Sequence, residues 1–430
     1  AMTTGVQNTL IGGLAGDALT TGEKNVAIGY SSLSTEDTGS KSVAIGNGSL
    51  FSQNYDGEAY NVAIGHNAGL NVSTGIKNTL IGGLAGDALT SGQFNVAVGY
   101  EALSTEDDHG TATAIGYRAL KTQDAGANSY NVALGYDAGT SVTTGIYNTL
   151  VGGTAGDSIT DGNTNVAIGY SALSSETSGD RNVAIGASAL GSQNNTSDTD
   201  VYNVAVGYNA GYAMTTGAQN VLLGGLAGDA LTTGSNNIAI GYRALTSEDA
   251  NGRNIAIGQD ALFALNAGAN ALNVAIGFET GKSITTGDRN TLIGSLVADS
   301  LTTGQYNIAI GYQALASEDV GSRAVGIGYQ ALYSQNNSTS TDTYNIAIGY
   351  DAGYAVTTGT SNILVGGFAG DALTSGSHNI AIGLFALSTE DQGDRNVAIG
   401  YEALKTQNVD GNAYNVAVGH SAGKEVTTGT

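Results

Sequence analysis

Apolar positions recur in one short phrase, Asn25-Val26-Ala27-Ile28-Gly29-Tyr30, and near copies of it follow one another from end to end of the chain. Counted from each leading residue, the intervals run 17, 17, 19 (or 21) and 17 residues and then start again, a superperiod of 70 or 72. Four coil types alternate: coil A from Asn8, coil B from Asn25, coil C from Ser42 and coil D from Asn61, with coil A returning at Asn78, Asn148, Asn220, Asn290 and Asn362. A 17-residue unit with glycine inside it is too short for a helical hairpin, and a β-branched triplet between turn formers reads as strand. The pattern therefore predicts an all-β solenoid (a β-roll or β-helix) of about 24 coils in six four-coil superrepeats, each coil with room for two short strands and two turns. Because a solenoid grows without closing a core, residues 1–430 are expected to form one elongated repeat domain.

The glycine after the triplet (Gly12, Gly29, Gly46, Gly65 and onward) predicts a positive φ or a place where coils approach too closely for a Cβ. Asn at the head of nearly every coil predicts a ladder of side-chain amides along the axis, with departures at Ser42, Ala112 and Ala324. Within the triplet, Val26 and Ile28 are expected to face the coil interior and Ala27 the opposite side. That opposite side is apolar almost everywhere (Ala44, Ala63, Leu80, Leu150), so the strand is expected to be covered on both faces. Small residues there suggest close approach of another chain, and the expected partner is a further copy of this chain in a parallel homotrimer. The longer interval always falls in coil C, at 54–60, 194–202 and 336–344, which predicts a polar loop once per superrepeat.

The phrase Asn165 to Leu173 (Asn-Val-Ala-Ile-Gly-Tyr-Ser-Ala-Leu), with Thr-Gly or Ser-Gly closing the coil, resembles the 17-residue repeats of bacteriophage tail-fibre proteins. It is similar, more distantly, to the head repeats of trimeric autotransporter adhesins, whose shorter coils carry a core like Ser42 to Gly46. The resemblance covers essentially the whole chain and implies a trimeric, left-handed β-roll on a virion fibre or cell surface, used for attachment. The longer coil and the superperiod depart from the autotransporter pattern, which puts that reading second.

Composition narrows the partners. A net charge of −23, with only 14 Lys and Arg against 37 Asp and Glu, excludes the basic clusters that nucleic acid or an anionic membrane surface requires. No apolar run approaches 18 residues, so no membrane insertion is expected. The opening Ala1 to Gly5 matches the internal Ala213 to Gly217, and the chain stops part way through a coil, so it reads as a piece of a longer protein.

Candidate chemistry is sparse. Coil B carries an acidic pair, Glu36 and Asp37, Glu106 and Asp107, Glu248 and Asp249, Glu318 and Asp319, Glu390 and Asp391, with Glu176 alone in the third superrepeat. Adjacent carboxylates in a turn do not flank a sugar across a cleft, so the expectation is a solvated turn, with weak cation binding as the functional alternative. The glycine run Gly12 to Asp17 lacks the following helix and Lys of a phosphate loop and reads as tight packing plus a turn Asp. Four scattered histidines and no cysteine leave no zinc spacing, no cofactor is expected, and nothing predicts an enzyme. Tyrosines close the coil C loop at Tyr60, Tyr130, Tyr202, Tyr344 and Tyr414, and these are the candidate glycan contacts, against the alternative of covering a solenoid corner. The expected function is the shaft of an extracellular receptor-binding fibre meeting a cell-surface polysaccharide or protein receptor. The competing classes are a bacterial adhesin head, an ice-binding solenoid and a polysaccharide-degrading tailspike.

Overall fold

The computed structural model describes residues 2–197, 199–250 and 252–429. It is all-β, with no helix among the described residues, and divides into two compact units, Ala1–Thr216 and Gly217–Thr430. Each unit is a parallel β-solenoid of twelve coils, one three-residue strand per coil.

The first superrepeat shows the construction, with β1 (Thr9–Ile11), β2 (Val26–Ile28), β3 (Val43–Ile45) and β4 (Val62–Ile64) in coils A to D. Successive strands pair in parallel and in register, Leu10 with Ala27, Ala27 with Ala44 and Ala44 with Ala63. Among the described residues, the second strand expected in each coil forms only where coil B meets coil C. It is a two-residue pairing of Gly179–Asp180 with Thr199–Asp200, or single bridges such as Ser40 to Glu58. Elsewhere that side of the coil is a run of turns, held by main-chain bonds to the next coil such as Thr20 N to Asp37 O at 2.8 Å.

The faces of the strand are the reverse of the sequence expectation. Ala27 is fully buried, and Val26 and Ile28 stand half-exposed on the outside; the same order of burial holds along both units. The reason is volume. The lumen of a 17-residue coil is already occupied by a second residue eight positions after the leading one, Leu33 in coil B and Leu50 in coil C, both fully buried. Where coil A places Leu at the strand centre (Leu80), its eighth position is Gly86, and a Cβ there would lie 2.8 Å from Leu80. Leu with Gly in coil A and Ala with Leu in coils B and C are thus two fillings of one lumen; coil D has Ala63 with Gly69, and there the space is taken by Leu50 and Leu80 of the flanking coils, 3.0 and 2.7 Å from where a Cβ on Gly69 would sit. Close packing admits no rows of Val and Ile inside the lumen as well.

Both expectations for the glycine hold together. Gly29 has φ +133°, and a Cβ on it would sit 2.5 Å from Gly46 O in the next coil. The Asn ladder also forms, though it runs from side chain to backbone. Asn25 Oδ1 accepts from Ser42 N at 2.9 Å and Asn25 Nδ2 donates to Gly39 O at 2.8 Å, so one amide ties three points of two coils. Where Ser42 interrupts the column, Gln53 takes over, donating to Ser42 Oγ (2.9 Å) and accepting from Asn61 Nδ2 (2.9 Å).

Candidate functional site

The acidic pair of coil B separates into two environments. Glu36, Glu106, Glu248, Glu318 and Glu390 are buried, as is Glu176, whereas Asp37, Asp319 and Asp391 are half-buried and Asp107 and Asp249 exposed. The turn is therefore not a solvated one: chain reversal at Gly39 folds the Glu side chain back under its own backbone. Glu36 Oε1 accepts from Gly39 N at 2.6 Å, and Oε2 accepts from Gln53 Nε2 at 3.0 Å and Tyr55 N at 3.3 Å. Burial pushes the Glu36 carboxyl above its ordinary range, and the Gln53, Gly39 and Tyr55 donors pull it back. Glu106 is raised by burial in the same way, with Gln123 its main opposing donor.

What the buried carboxylate does is hold the base of the coil C loop. Glu318 is surrounded by donors: Gly321 N (2.7 Å) and Asn337 N (3.3 Å) on Oε1, Gln335 Nε2 (2.8 Å) and Asn337 Nδ2 (3.1 Å) on Oε2. Glu176 grips Asn195 and Glu390 grips Val409 N in the equivalent places. Beyond that anchor the loop is exposed, as at Ser338, Thr339 and Ser340. The paired Asp uses its carbonyl, which accepts from Thr20 N at Asp37 and from Thr302 N (2.7 Å) at Asp319. Three donor groups that a cation would need converge in the second superrepeat alone among the described residues, at Glu106, Asp107 and His109. Glu106 is already engaged there by Gln123 Nε2 (3.1 Å) and His109 N (3.2 Å), which takes two of its acceptor positions.

The candidate glycan tyrosines are all exposed, from 46% at Tyr60 to 64% at Tyr414. Their rings, however, sit in a column along the axis and face their neighbours. Lys41 lies 5.0 Å over Tyr60, Arg181 5.6 Å over Tyr202, Arg323 5.9 Å over Tyr344 and Arg395 5.7 Å over Tyr414, while Tyr130 stacks on Tyr147 at 5.5 Å. The hydroxyls of Tyr60 and Tyr202 donate to Glu58 and Asp200. These contacts are the corner cover weighed in the sequence, and they leave a ligand the ring edges.

A larger feature was missed in the sequence: the outward face of the strands. Val and Ile fill most of its two rows, interrupted by Thr at Thr9, Thr79, Thr113, Thr149 and Thr291, with no charged side chain on any of the three-residue strands of either unit. Tyrosines follow many of the strand-ending glycines at the exit edge and stack along the axis, Tyr100 on Tyr117 at 5.8 Å and Tyr117 on Tyr136 at 5.1 Å, then Tyr312 on Tyr329 and Tyr329 on Tyr350. The signal that would have found the face is the trade between the strand centre and the eighth position in coils A, B and C. Only residues that share a lumen compensate one another's volume.

Compared with known proteins, the chain matches no family model, no curated protein and no solved structure. Among the described residues no helix is long and apolar enough to cross a membrane.

Proposed function

We propose that this chain is a structural and adhesive fibre segment, outside the cell or on a virion, that associates with further copies of itself as a parallel homotrimer and carries its coil C loops to cell-surface glycans. The observation that supports it most is the Val/Ile face. Two half-exposed rows on twelve strands present roughly 1,000 Å² of apolar surface per unit, beyond the few hundred Å² usual for a patch on a monomer and above the ~800 Å² per partner of a standard interface. The sequence argument for a second layer over the strand is retained, with Val26 and Ile28 in the place it gave to Ala27. In-register ladders make the solenoid stiff, and a loop repeated once per superrepeat turns weak contacts into avidity. Sedimentation equilibrium of the intact chain tests the assembly. The expected mass is three times 42.9 kDa, and a monomer at micromolar concentration rejects the reading. Binding of the intact protein to a glycan array tests attachment, and an array with no hit removes the glycan from the proposal.

A further inference from the structure

The residue immediately before each coil's leading residue stands at the entry edge of the outward face, two positions ahead of the first strand residue. In the first unit this column carries Lys24, Lys41, Lys77 and Arg181, and in the second Arg253, Arg289, Arg323 and Arg395, eight of the 14 basic residues of the whole chain. All eight have positive φ, between 55° and 65°, so they leave the same corner in the same way. Seven of the 22 tyrosines share that entry edge, Tyr60, Tyr202 and Tyr306 among them. The exit edge, two positions after the last strand residue, holds 11 tyrosines, Tyr30, Tyr100 and Tyr170 among them, and differs in carrying no Lys, Arg, Asp or Glu. Tyr30, Tyr170 and Tyr208 are 59, 67 and 62% exposed.

Resting on the self-association proposed above, we infer that neighbouring copies meet along these two edges, the entry-edge cations of one copy docking on the exit-edge tyrosines of the next. The cations are already held between carboxylates and rings of their own edge, Lys41 over Tyr60, Arg181 over Tyr202 and Arg289 over Tyr306, and a second ring would meet their outer side. Lys41 pairs with Glu58 at 2.5 Å, Arg289 with Asp288 at 2.8 Å, and Arg181 and Arg323 with Asp200 and Asp342. Each arginine pair engages part of the guanidinium, which carries five N–H donors, and leaves the Arg181, Arg289 and Arg323 side chains 45, 46 and 42% exposed. A tyrosine offers them a hydroxyl acceptor and a π surface and repels no charge. The asymmetry of charge favours one direction of assembly. Rotation about an axis parallel to the coil stack brings every entry edge against an exit edge. A two-fold perpendicular to the stack brings entry against entry and sets the two cation-bearing edges together.

Because the chain has no cysteine, the edges can be tested by cross-linking. Arg181→Cys is combined in turn with Tyr170→Cys, Ala187→Cys or Tyr208→Cys, which covers a stagger of one coil in either direction. Within one chain the two edges of a coil are six extended residues apart, roughly 20 Å, beyond the reach of a disulfide. Mild oxidation is expected to join the full oligomer covalently in at least one double variant and to join nothing in the four single variants. An oligomer by sedimentation that none of the double variants cross-links overturns the edge assignment, and so does a cross-linked single variant. A monomer by sedimentation overturns the self-association itself, so the two failures are distinguishable. Arg289→Gln with Arg323→Gln, both at exposed positions, supplies a measurement without cysteine. Dissociation is expected at tenfold or more higher protein concentration with weaker salt dependence, and an unchanged midpoint counts against the seam.

Discussion

At the scale of single residues, the coil is held by positions that allow no substitution rather than by large contacts. Gly29 illustrates this, since its φ of +133° and the Gly46 carbonyl, 2.5 Å from where a methyl carbon would sit, act together. Gly29→Ala is expected to cost about 3 kcal/mol or more, with local loss of amide protection in coils B and C as the readout. Gly126, whose φ is +62° and which has nothing within 4 Å, is the control: there Ala is expected to cost about 1 kcal/mol. The coil A aspartates give a second residue-scale effect. Burial raises Asp87, Asp157 and Asp299, and Asp371 is raised to about 6. An acid whose folded pKa is raised binds its proton more tightly in the folded chain, so its contribution to stability is largest below the ordinary value of 3.8. It is lost as pH rises from there to about 6, and stays lost above. Asp371→Asn should therefore match the parent at pH 4 and exceed it by about 1 kcal/mol at pH 7, a figure reduced for solvent screening. A difference between the two unfolding curves that does not change with pH rejects the assignment.

The element that carries variation is the coil B turn with the coil C loop, and its parts were unequally legible. The loop was readable because an insertion in a fixed period has nowhere to go but outward, and the Asn column because an amide at every turn needs a partner in the next. The acidic pair was misread because a Glu beside an Asp in a turn carries no mark of which side chain turns inward. Only the donors from 17 to 19 residues away, Gln335 and Asn337 for Glu318, decide it. The strand faces were misread for a related reason. Val, Ala and Ile are all apolar, so alternation of polarity, the usual guide, was silent, and size had to be read against the eighth position instead. The Glu318 site makes a sharp prediction, because every group facing the carboxylate is a donor. Glu318→Gln turns an amide N–H₂ toward the side-chain amides of Gln335 and Asn337, leaving a donor unpaired in a buried place. It is expected to cost about 2 kcal/mol, close to the cost of Glu318→Ala, with faster hydrogen exchange at 336–343. Retention of full protection by the Gln variant would show that the charge and acceptor pattern are dispensable.

For the whole molecule, the physical question is what becomes of a face that is apolar on every strand. A thin lumen lined by Ala and Leu gives each coil little burial of its own, so covering the Val/Ile rows is the largest gain still open to the chain. The first strand residue of coil D recurs once per superrepeat on that face, and Val62, Val132, Val204, Val274 and Ile346 are five of the six. Lysine at these five positions puts charges four coils apart within each unit, too far to oppose one another there and in the middle of any contact between chains. Because the side chains point out of the lumen, the solenoid is expected to keep its β circular dichroism while the sedimenting mass falls to 42.9 kDa. The inward counterpart is one lysine at Ala133, which is fully buried and has no space for it. That variant is expected to lose its β signal locally whatever the state of assembly. If the five outward lysines leave the mass unchanged, the face is covered by something other than a second copy, and the fibre reading loses its main support.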